Sequence, residues 1–119
     1  MKLAIIGSRG FDDYELVKSV LSDYVDKVTM VVSGGAKGAD SLGEKWANEN
    51  NIQTLIFKPD WKKYGKKAGH LRNTDIIQNC DMCVAFWDGV STGTNDSIKK
   101  TKKFGKEVKI INYEKTQKT

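Results

Sequence analysis

The stretch Val28–Asn50, VTMVVSGGAKGADSLGEKWANEN, joins an apolar segment to an amphipathic one through a glycine-rich turn. Its first residues, Val28–Val32, are mainly β-branched and apolar, as in a buried parallel strand. After Ser33–Gly35, apolar residues recur on one face of a helix: Ala39, Leu42, Trp46 and Ala47. Free backbone N–H groups and the positive end of the helix dipole meet at such a turn. The stretch therefore predicts a strand, a candidate phosphate-binding turn and a helix.

The spacing of the glycines limits which phosphate-binding turn this is. The segment Gly34–Asp40 lacks the terminal Lys-Ser/Thr of a Walker A loop. It also lacks the G-x-G-x-x-G spacing of the dinucleotide fingerprint. Taken alone, the segment fits equally well a tight turn that only connects a strand to a helix. The decision between the two depends on what lies beside it in the fold.

Length and composition predict one soluble domain over residues 1–119. The chain is 39% hydrophobic and 29% charged, and its apolar runs are too short to cross a membrane. The start of the chain is too short for a signal peptide, and two cysteines, Cys80 and Cys83, do not indicate a disulfide framework. We therefore expect a cytoplasmic protein with no membrane partner.

The positive charge is concentrated in the second half of the chain. Residues 1–57 hold six Lys or Arg and eight Asp or Glu, whereas residues 58–119 hold fourteen and seven. Such asymmetry is typical of proteins with a nucleic-acid or polyphosphate partner. The alternative is a solvated lysine face, which we favour for the lysines of residues 99–103 because they lie on several sides of one predicted helix.

Short apolar runs predict five strands, and helical segments separate them. The predicted strands are Lys2–Ile6, Val28–Val32, Ile52–Phe57, Met82–Phe86 and Val108–Ile111. Asp12 and Glu15 are expected to cap the first helix, and Asp60–Gly69 is expected to be a basic loop. Two further helices are predicted, one over Ala68–Asn79 and a lysine-rich one that ends near Phe104 after the loop Trp87–Asn95. Residues 113–119 are predicted to be a frayed tail.

This alternation predicts an α/β fold: a doubly wound, Rossmann-like three-layer sandwich around a five-stranded parallel sheet of order 3-2-1-4-5. In that order the first and fourth strands are neighbours at the switch point. The loops Gly7–Phe11, Ser33–Asp40 and Trp87–Asn95 then come out at the same edge of the sheet. Three glycine-bearing loops at one edge predict a ligand site there.

Four motifs in this order resemble the SLOG superfamily. They are G-S-R (Gly7–Arg9), S-G-G-A-K-G-A-D (Ser33–Asp40), A-G-H-L-R-N (Ala68–Asn73) and D-G-V-S-T-G-T (Asp88–Thr94). The superfamily includes DprA-like DNA-processing proteins, the Lonely Guy (LOG) enzymes and YpsA. The likeness covers residues 3–111 and is greatest to the small, single-domain YspA/YpsA-related branch. It implies a Rossmann-like fold and a nucleotide or nucleotide-derived ligand.

The resemblance also implies roles for individual residues. It gives Gly34, Gly35 and Gly38 to a phosphate turn. Arg72 stands where LOG enzymes keep an arginine beside the substrate phosphate and the glycosidic bond, and Asn73 replaces the lysine common after it. Were Arg72 not a ligand residue, we would expect it to form a surface ion pair with Asp75.

The second phosphate loop of LOG enzymes, P-G-G-x-G-T-x-x-E, is matched by Gly89, Gly93 and Thr94. Its glutamate falls on Ser97, and Asp96 lies one position early. A carboxylate that supports an oxocarbenium-like sugar is what N-glycosidic cleavage requires, so this departure weighs against hydrolysis. The candidate catalytic residues are accordingly Asp96, Asp88 and Arg72.

The predicted ligand-binding residues come from the three loops and from the A-G-H-L-R-N segment. They are Gly7, Ser8, Arg9, Ser33, Gly34, Gly35, Lys37, Gly38, Asp40, Arg72, Asn73, Trp87, Asp88, Gly89, Ser91, Thr92, Gly93, Thr94 and Asn95. Trp87 could stack on a base or cover the sheet edge, and Asp40 could equally serve only the helix dipole. His70 is expected to be a surface or capping histidine.

Three functions follow as hypotheses. The first is binding of a nucleotide-derived ligand, such as an ADP-ribose-like molecule or a nucleoside phosphate. The second is hydrolysis of the N-glycosidic bond of a nucleoside 5′-monophosphate, as in LOG enzymes. The third is DprA-like binding of single-stranded DNA. No cofactor and no metal is predicted, since zinc needs four ligands and the chain has two cysteines and one histidine. A homo-oligomer is compatible with the sequence.

Overall fold

Five parallel strands form one sheet. They are β1 (Lys2–Gly7), β2 (Met30–Ser33), β3 (Gln53–Ile56), β4 (Met82–Trp87) and β5 (Glu107–Asn112). The computed structural model describes residues 1–113. The strands lie in the order β3-β2-β1-β4-β5, and each neighbouring pair is parallel. The predicted α/β fold and the predicted strand order are therefore confirmed.

Helices cover both faces of the sheet. They are α1 (Tyr14–Leu21), α2 (Ala39–Glu49), α3 (Trp61–Tyr64), α4 (Ala68–Gln78) and α5 (Thr92–Lys103). The helices α1 and α2 contribute to one buried apolar cluster, and α4 and α5 contribute to a second. Strand β1 divides its side chains between the two clusters, Leu3 and Ile5 in the first, Ala4 and Ile6 in the second. The central strand is thus buried on both faces, which explains its continuous apolar run.

Three local predictions were wrong. The helix α5 begins at Thr92, within the predicted loop Trp87–Asn95, because Ser91 rather than a later residue is its N-cap. The predicted basic loop contains the one-turn helix α3, where Asp60 accepts a hydrogen bond from the Lys63 N–H at 3.1 Å. Asp13, not Asp12, caps α1, since its carboxylate accepts the N–H of Leu16 at 3.0 Å.

The described chain ends in an ordered contact. The Tyr113 N–H donates to the Trp87 carbonyl at 3.2 Å, and the Tyr113 ring lies 4.6 Å from the Phe11 ring, centroid to centroid. The prediction of a frayed tail is therefore wrong for Tyr113. The rest of that prediction concerns residues 114–119, which lie outside the described residues.

Both cysteines are buried thiols. Cys80 donates to the Ile77 carbonyl at 3.4 Å, and burial raises the pKa of both thiols, most strongly that of Cys83. Across residues 1–113, no group of three or more His, Cys, Asp or Glu side chains is arranged to hold a metal ion. Among the helices of residues 1–113, none is long enough and apolar enough to span a bilayer.

Lys106 closes the carboxyl end of α4. Its Nζ atom donates to the carbonyls of Ile77, Gln78 and Cys80 at 2.7, 3.2 and 2.7 Å. We expect Lys106→Met to lower the free energy of unfolding by about 1–2 kcal/mol, because an ammonium group at a helix C-terminus satisfies terminal carbonyls and complements the dipole. Urea unfolding followed by circular dichroism measures this. The exposed Lys103→Met is the matched control, and an equal loss in both variants would contradict the capping role.

Candidate functional site

A cleft of about 550 Å³ opens at the carboxyl ends of β1 and β4, next to the first turns of α2, α4 and α5. This volume lies within the range of roughly 300–1,000 Å³ that is typical of small-molecule sites. Many of the predicted ligand-binding residues line it. They are Gly7, Ser8, Arg9, Asp40, Arg72, Asn73, Asp88, Ser91, Thr92, Gly93 and Thr94.

Other predicted residues do not line the cleft. They are Ser33, Gly34, Gly35, Lys37, Gly38, Trp87, Gly89, Asn95 and Asp96. For Ser33 the reason is local, since its hydroxyl donates to the Glu44 carboxylate at 2.7 Å and is fully buried beneath α2.

Glycines let the first two loops approach each other closely behind the cleft. An added Cβ on Gly7 would lie 2.3 Å from the Phe86 carbonyl oxygen. One on Gly38 would lie 2.4 Å from the carbonyl oxygens of both Ser8 and Arg9. Gly38 also has φ +79° and ψ −127°, a conformation that side chains rarely adopt. Gly38 therefore positions the Ser8–Arg9 loop and does not itself face the cleft.

Arg72 links the second loop to α4. Its Nη1 atom donates to the Gly34 carbonyl at 2.7 Å, and its Nε atom donates to Oδ1 of Asn73 at 3.0 Å. Among the described residues, Arg72 forms no ion pair with Asp75, so the alternative expected for this arginine is not observed. These two hydrogen bonds fix the half-buried guanidinium of Arg72 in one orientation, and Arg72 lines the cleft.

Asp40 is a carboxyl group in the cleft that is only 6% exposed. Burial raises its pKa from 3.8 to about 6, although the Ala36 N–H, at 3.2 Å from Oδ2, and the charge of Arg72 act in the opposite direction. Of the two carboxyls that line the cleft, Asp40 therefore has the pKa nearer to neutrality.

The buried carboxyl of Asp40 makes stability depend on pH. The folded protein keeps this proton up to about pH 6, whereas the unfolded chain loses it near pH 3.8, so wild-type stability falls between these values. Asp40→Asn removes that fall. We expect the unfolding free energy of Asp40→Asn relative to wild type to rise by on the order of 2 kcal/mol between pH 4 and pH 7. Urea titrations over this range measure it. All other carboxyls are common to both proteins. If the difference in unfolding free energy between Asp40→Asn and wild type did not change with pH, burial would not raise the pKa of Asp40.

Asp96 is held by three donors and does not line the cleft. Its Oδ2 atom lies 2.7 Å from Lys100 Nζ, 3.2 Å from Asn73 Nδ2 and 3.3 Å from His70 Nδ1. Partial burial raises the pKa of Asp96, but these donors, Lys100 first, outweigh burial and lower it. Ser97, the next residue along α5, lines the cleft.

Asp88 organises the loop before α5. Its carboxylate accepts the N–H groups of Val90 and Ser91 at 2.9 and 2.8 Å and the Ser91 hydroxyl at 2.8 Å. Partial burial raises the pKa of Asp88, but these bonds and the Ser8 hydroxyl lower it to about 2. A carboxylate with this pKa is not a proton donor at neutral pH, so Asp88 positions the loop.

The first turn of α5 lines the cleft with residues whose backbone N–H groups are free. The Asn95 N–H donates to the Ser91 carbonyl at 3.2 Å, so intrahelical bonding begins there. Within residues 1–113, the N–H groups of Thr92, Gly93 and Thr94 have no acceptor, and all three residues line the cleft. Free N–H groups and the positive dipole end make this turn suited to an anion.

Trp87 serves the loop and not the cleft. Its indole N–H donates to the Ser91 carbonyl at 3.0 Å, and its ring packs against the apolar cluster beneath α4 and α5. Trp87 therefore lies at the carboxyl edge of the sheet without lining the cleft.

Several residues that line the cleft were not predicted as ligand residues. They are Ile6, Gly10, Ala36, Trp61, Lys66, Gly69, His70 and Ser97. Gly69 and His70 belong to the A-G-H-L-R-N segment, which was the signal that could have included them. Trp61 and Lys66 lie in a basic segment without hydrophobic periodicity, which gives no indication of the direction of a side chain.

Comparison with known proteins gives consistent results. The sequence model of the YspA, cpYpsA-related SLOG family matches residues 1–64. The Gene 61 protein of Mycobacterium phage D29 is 34% identical over 121 residues, which cover 94% of this chain and 95% of that protein.

Two solved structures share the fold. DNA processing protein A (DprA) from Streptococcus pneumoniae has a TM-score of 0.81 and 19% identity over 98% of this chain. The present chain covers 52% of the DprA chain, about half its length. The structural-genomics target TM1055 has a TM-score of 0.69 and 19% identity over 90% of this chain and 71% of its own.

Proposed function

Because the chain belongs to the YspA, cpYpsA-related SLOG family, we propose that its cleft binds a nucleotide-derived ligand. The ligand is a nucleoside phosphate or an ADP-ribose-like molecule, and one of its phosphates lies on the first turn of α5. The role is to sense, sequester or process that ligand.

The observation that carries this proposal is the set of unpaired N–H groups at Thr92–Thr94, three residues that line the same cleft as two arginines. Arg9 and Arg72 both line the cleft, and Arg72 is held with its guanidinium directed by Gly34 and Asn73. Oriented N–H groups together with guanidinium forks are the usual means of holding phosphate.

The charge of the cleft also favours an anion. Its cationic side chains are Arg9, Lys66 and Arg72, and its acidic ones are Asp40 and Asp88. The Asp88 carboxylate already accepts several hydrogen bonds from its own loop, so these donors stabilise its negative charge. The remaining balance is positive, which attracts a phosphate group.

A thermal-shift and calorimetric series with AMP, ADP and ADP-ribose tests the proposal. A ligand that binds only the folded protein stabilises it by about 2.7 kcal/mol at a concentration 100 times its Kd. We expect at least one of these compounds to raise the melting temperature in a saturable way. Absence of any shift with all three at millimolar concentration would contradict the proposal.

Hydrolysis of a nucleoside monophosphate is less well supported than binding. Asp96, which does not line the cleft, is occupied by three donors, and Ser97 takes the place of the LOG glutamate. Incubation with AMP and chromatography for free adenine distinguishes the two functions. We expect AMP to be recovered intact.

Single-stranded DNA is a second candidate ligand, favoured by one observation. Lysines and exposed aromatic side chains alternate beside the cleft: Lys58, Trp61, Lys62, Lys63, Tyr64, Lys66 and Lys67. Such surfaces can hold a nucleic-acid backbone and stack its bases. A gel shift with oligo(dT) at low salt tests this candidate, and binding of this type must weaken steeply as salt rises.

We also propose that the protein acts in the cytoplasm. The buried, unpaired thiols of Cys80 and Cys83 are compatible with a reducing compartment.

A further inference from the structure

We infer that Trp61 is the platform on which the base of the bound nucleotide stacks. This inference rests on the function proposed above and narrows the ligand to one that carries an aromatic base. A bare sugar phosphate would use the α5 end of the cleft and leave the platform unoccupied.

Trp61 is exposed and does not belong to the buried core. Its exposed fraction is 53%, whereas that of Trp46 is 3%. The Trp87 indole donates to a carbonyl of its own loop, but within residues 1–113 the Trp61 indole N–H has no acceptor. A large apolar side chain that lines a cleft and leaves most of its surface open is placed for contact with a ligand.

The position of the Trp61 ring is defined by its neighbours. The residue begins α3, whose N-terminus is capped by Asp60. The Cη2 atom lies 3.6 Å from the point where a Cβ of Gly69 would stand, so the far edge of the ring lies beside the first turn of α4. The same turn continues into Arg72. The platform and the arginine are thus carried by adjoining elements of one cleft.

The charge around Trp61 agrees with an aromatic anion. Lys66 lines the cleft with Trp61, and Lys62, Lys63 and Lys67 flank it in the sequence. An aromatic face among cations recognises a base and a phosphate in the same molecule. Base–aromatic stacking is sequence-tolerant, so this contact selects for the presence of a base and not for its identity.

The test compares two probes, AMP and ribose 5-phosphate, by calorimetry on the full chain. We expect Trp61→Ala to weaken AMP binding by roughly 5- to 150-fold, the range for loss of one stacked base, and to change ribose 5-phosphate binding by less than about twofold. Trp61→Phe keeps an aromatic face and should recover most of the AMP affinity. AMP should quench tryptophan emission in wild type but not in Trp61→Ala.

Tyr64→Ala is the matched control, since Tyr64 is 44% exposed on the same short helix but does not line the cleft. It should bind both probes as wild type does. If Trp61→Ala keeps the wild-type ratio of AMP to ribose 5-phosphate affinity while Arg72→Lys weakens both probes, the stacking role is overturned and the proposed function stands. If neither probe binds wild type, and AMP, ADP and ADP-ribose all leave its melting temperature unchanged, both the stacking role and the proposed function are overturned.

Discussion

Gly38→Ala should lower the free energy of unfolding by on the order of 3–5 kcal/mol, because a strained backbone and a steric clash add together. The added Cβ would stand 2.4 Å from the carbonyl oxygens of Ser8 and Arg9, which are backbone atoms at the end of β1. The Ser8–Arg9 loop would have to move away from α2 to relieve this clash. Urea unfolding monitored by circular dichroism measures the loss.

Gly105→Ala is the matched control for this substitution. Gly105 has φ +70°, similar to the +79° of Gly38, but an added Cβ there would meet no atom within 4 Å. The control should therefore lose only about 1–2 kcal/mol, the cost of the left-handed conformation. Equal losses in the two variants would show that the contact between the first two loops is not tight.

Arg72→Lys should weaken AMP binding about 10- to 100-fold, which corresponds to the 1.5–3 kcal/mol range of a hydrogen bond to a charged group. Lysine keeps the charge but cannot reproduce a planar fork that reaches Gly34 and Asn73 while it faces the ligand. The substitution should also cost about 1 kcal/mol of stability, because one intramolecular hydrogen bond is lost. Calorimetric titration and urea unfolding give the two quantities separately.

Lys67→Ala serves as the control for this second prediction, since Lys67 precedes α4 but does not line the cleft. It removes a nearby positive charge, so it reports any general electrostatic effect, which salt screens. We expect its AMP affinity to change less than about twofold. If Arg72→Lys binds AMP with wild-type affinity, Arg72 does not contact the ligand, whatever the effect of the substitution on stability.

The strands and their burial were predictable because a sequence displays apolar runs directly, whereas the strand order was adopted from the usual doubly wound pattern. The runs Leu3–Ile6 and Met82–Phe86 are continuously apolar, as strands buried on both faces must be. Glycines follow β1 and β2, where backbone approaches backbone, so the convergence of those loops followed from the predicted topology.

The start of α5 was not predictable in the same way. Thr92, Gly93 and Thr94 have low helix propensity and suggest a loop. They are helical in the structure, where Asp88 fixes the Val90 and Ser91 N–H groups and Thr94 is buried. Tertiary contacts outweigh propensity here, and the result is the N-terminus that we assign to phosphate.

The two tryptophans at this edge show the same limit. Trp87 was predicted directly after the fourth strand, at the ligand edge, and is the last residue of β4, whereas Trp61 lies in a segment without periodicity. The Trp87 indole is held by a hydrogen bond to the Ser91 carbonyl, and the Trp61 ring lies beside Gly69. Residue spacing shows neither of these neighbours.

The most direct test of phosphate binding by α5 is a titration of the ¹⁵N-labelled protein with AMP, followed by ¹H–¹⁵N correlation spectra. A chain of 119 residues is well suited to this measurement. We expect the largest amide shifts at Thr92–Thr94, with the protons moving downfield as the phosphate accepts their hydrogen bonds. Shifts confined to the lysines of residues 58–67, with Gly93 and Thr94 unmoved at saturation, would contradict it.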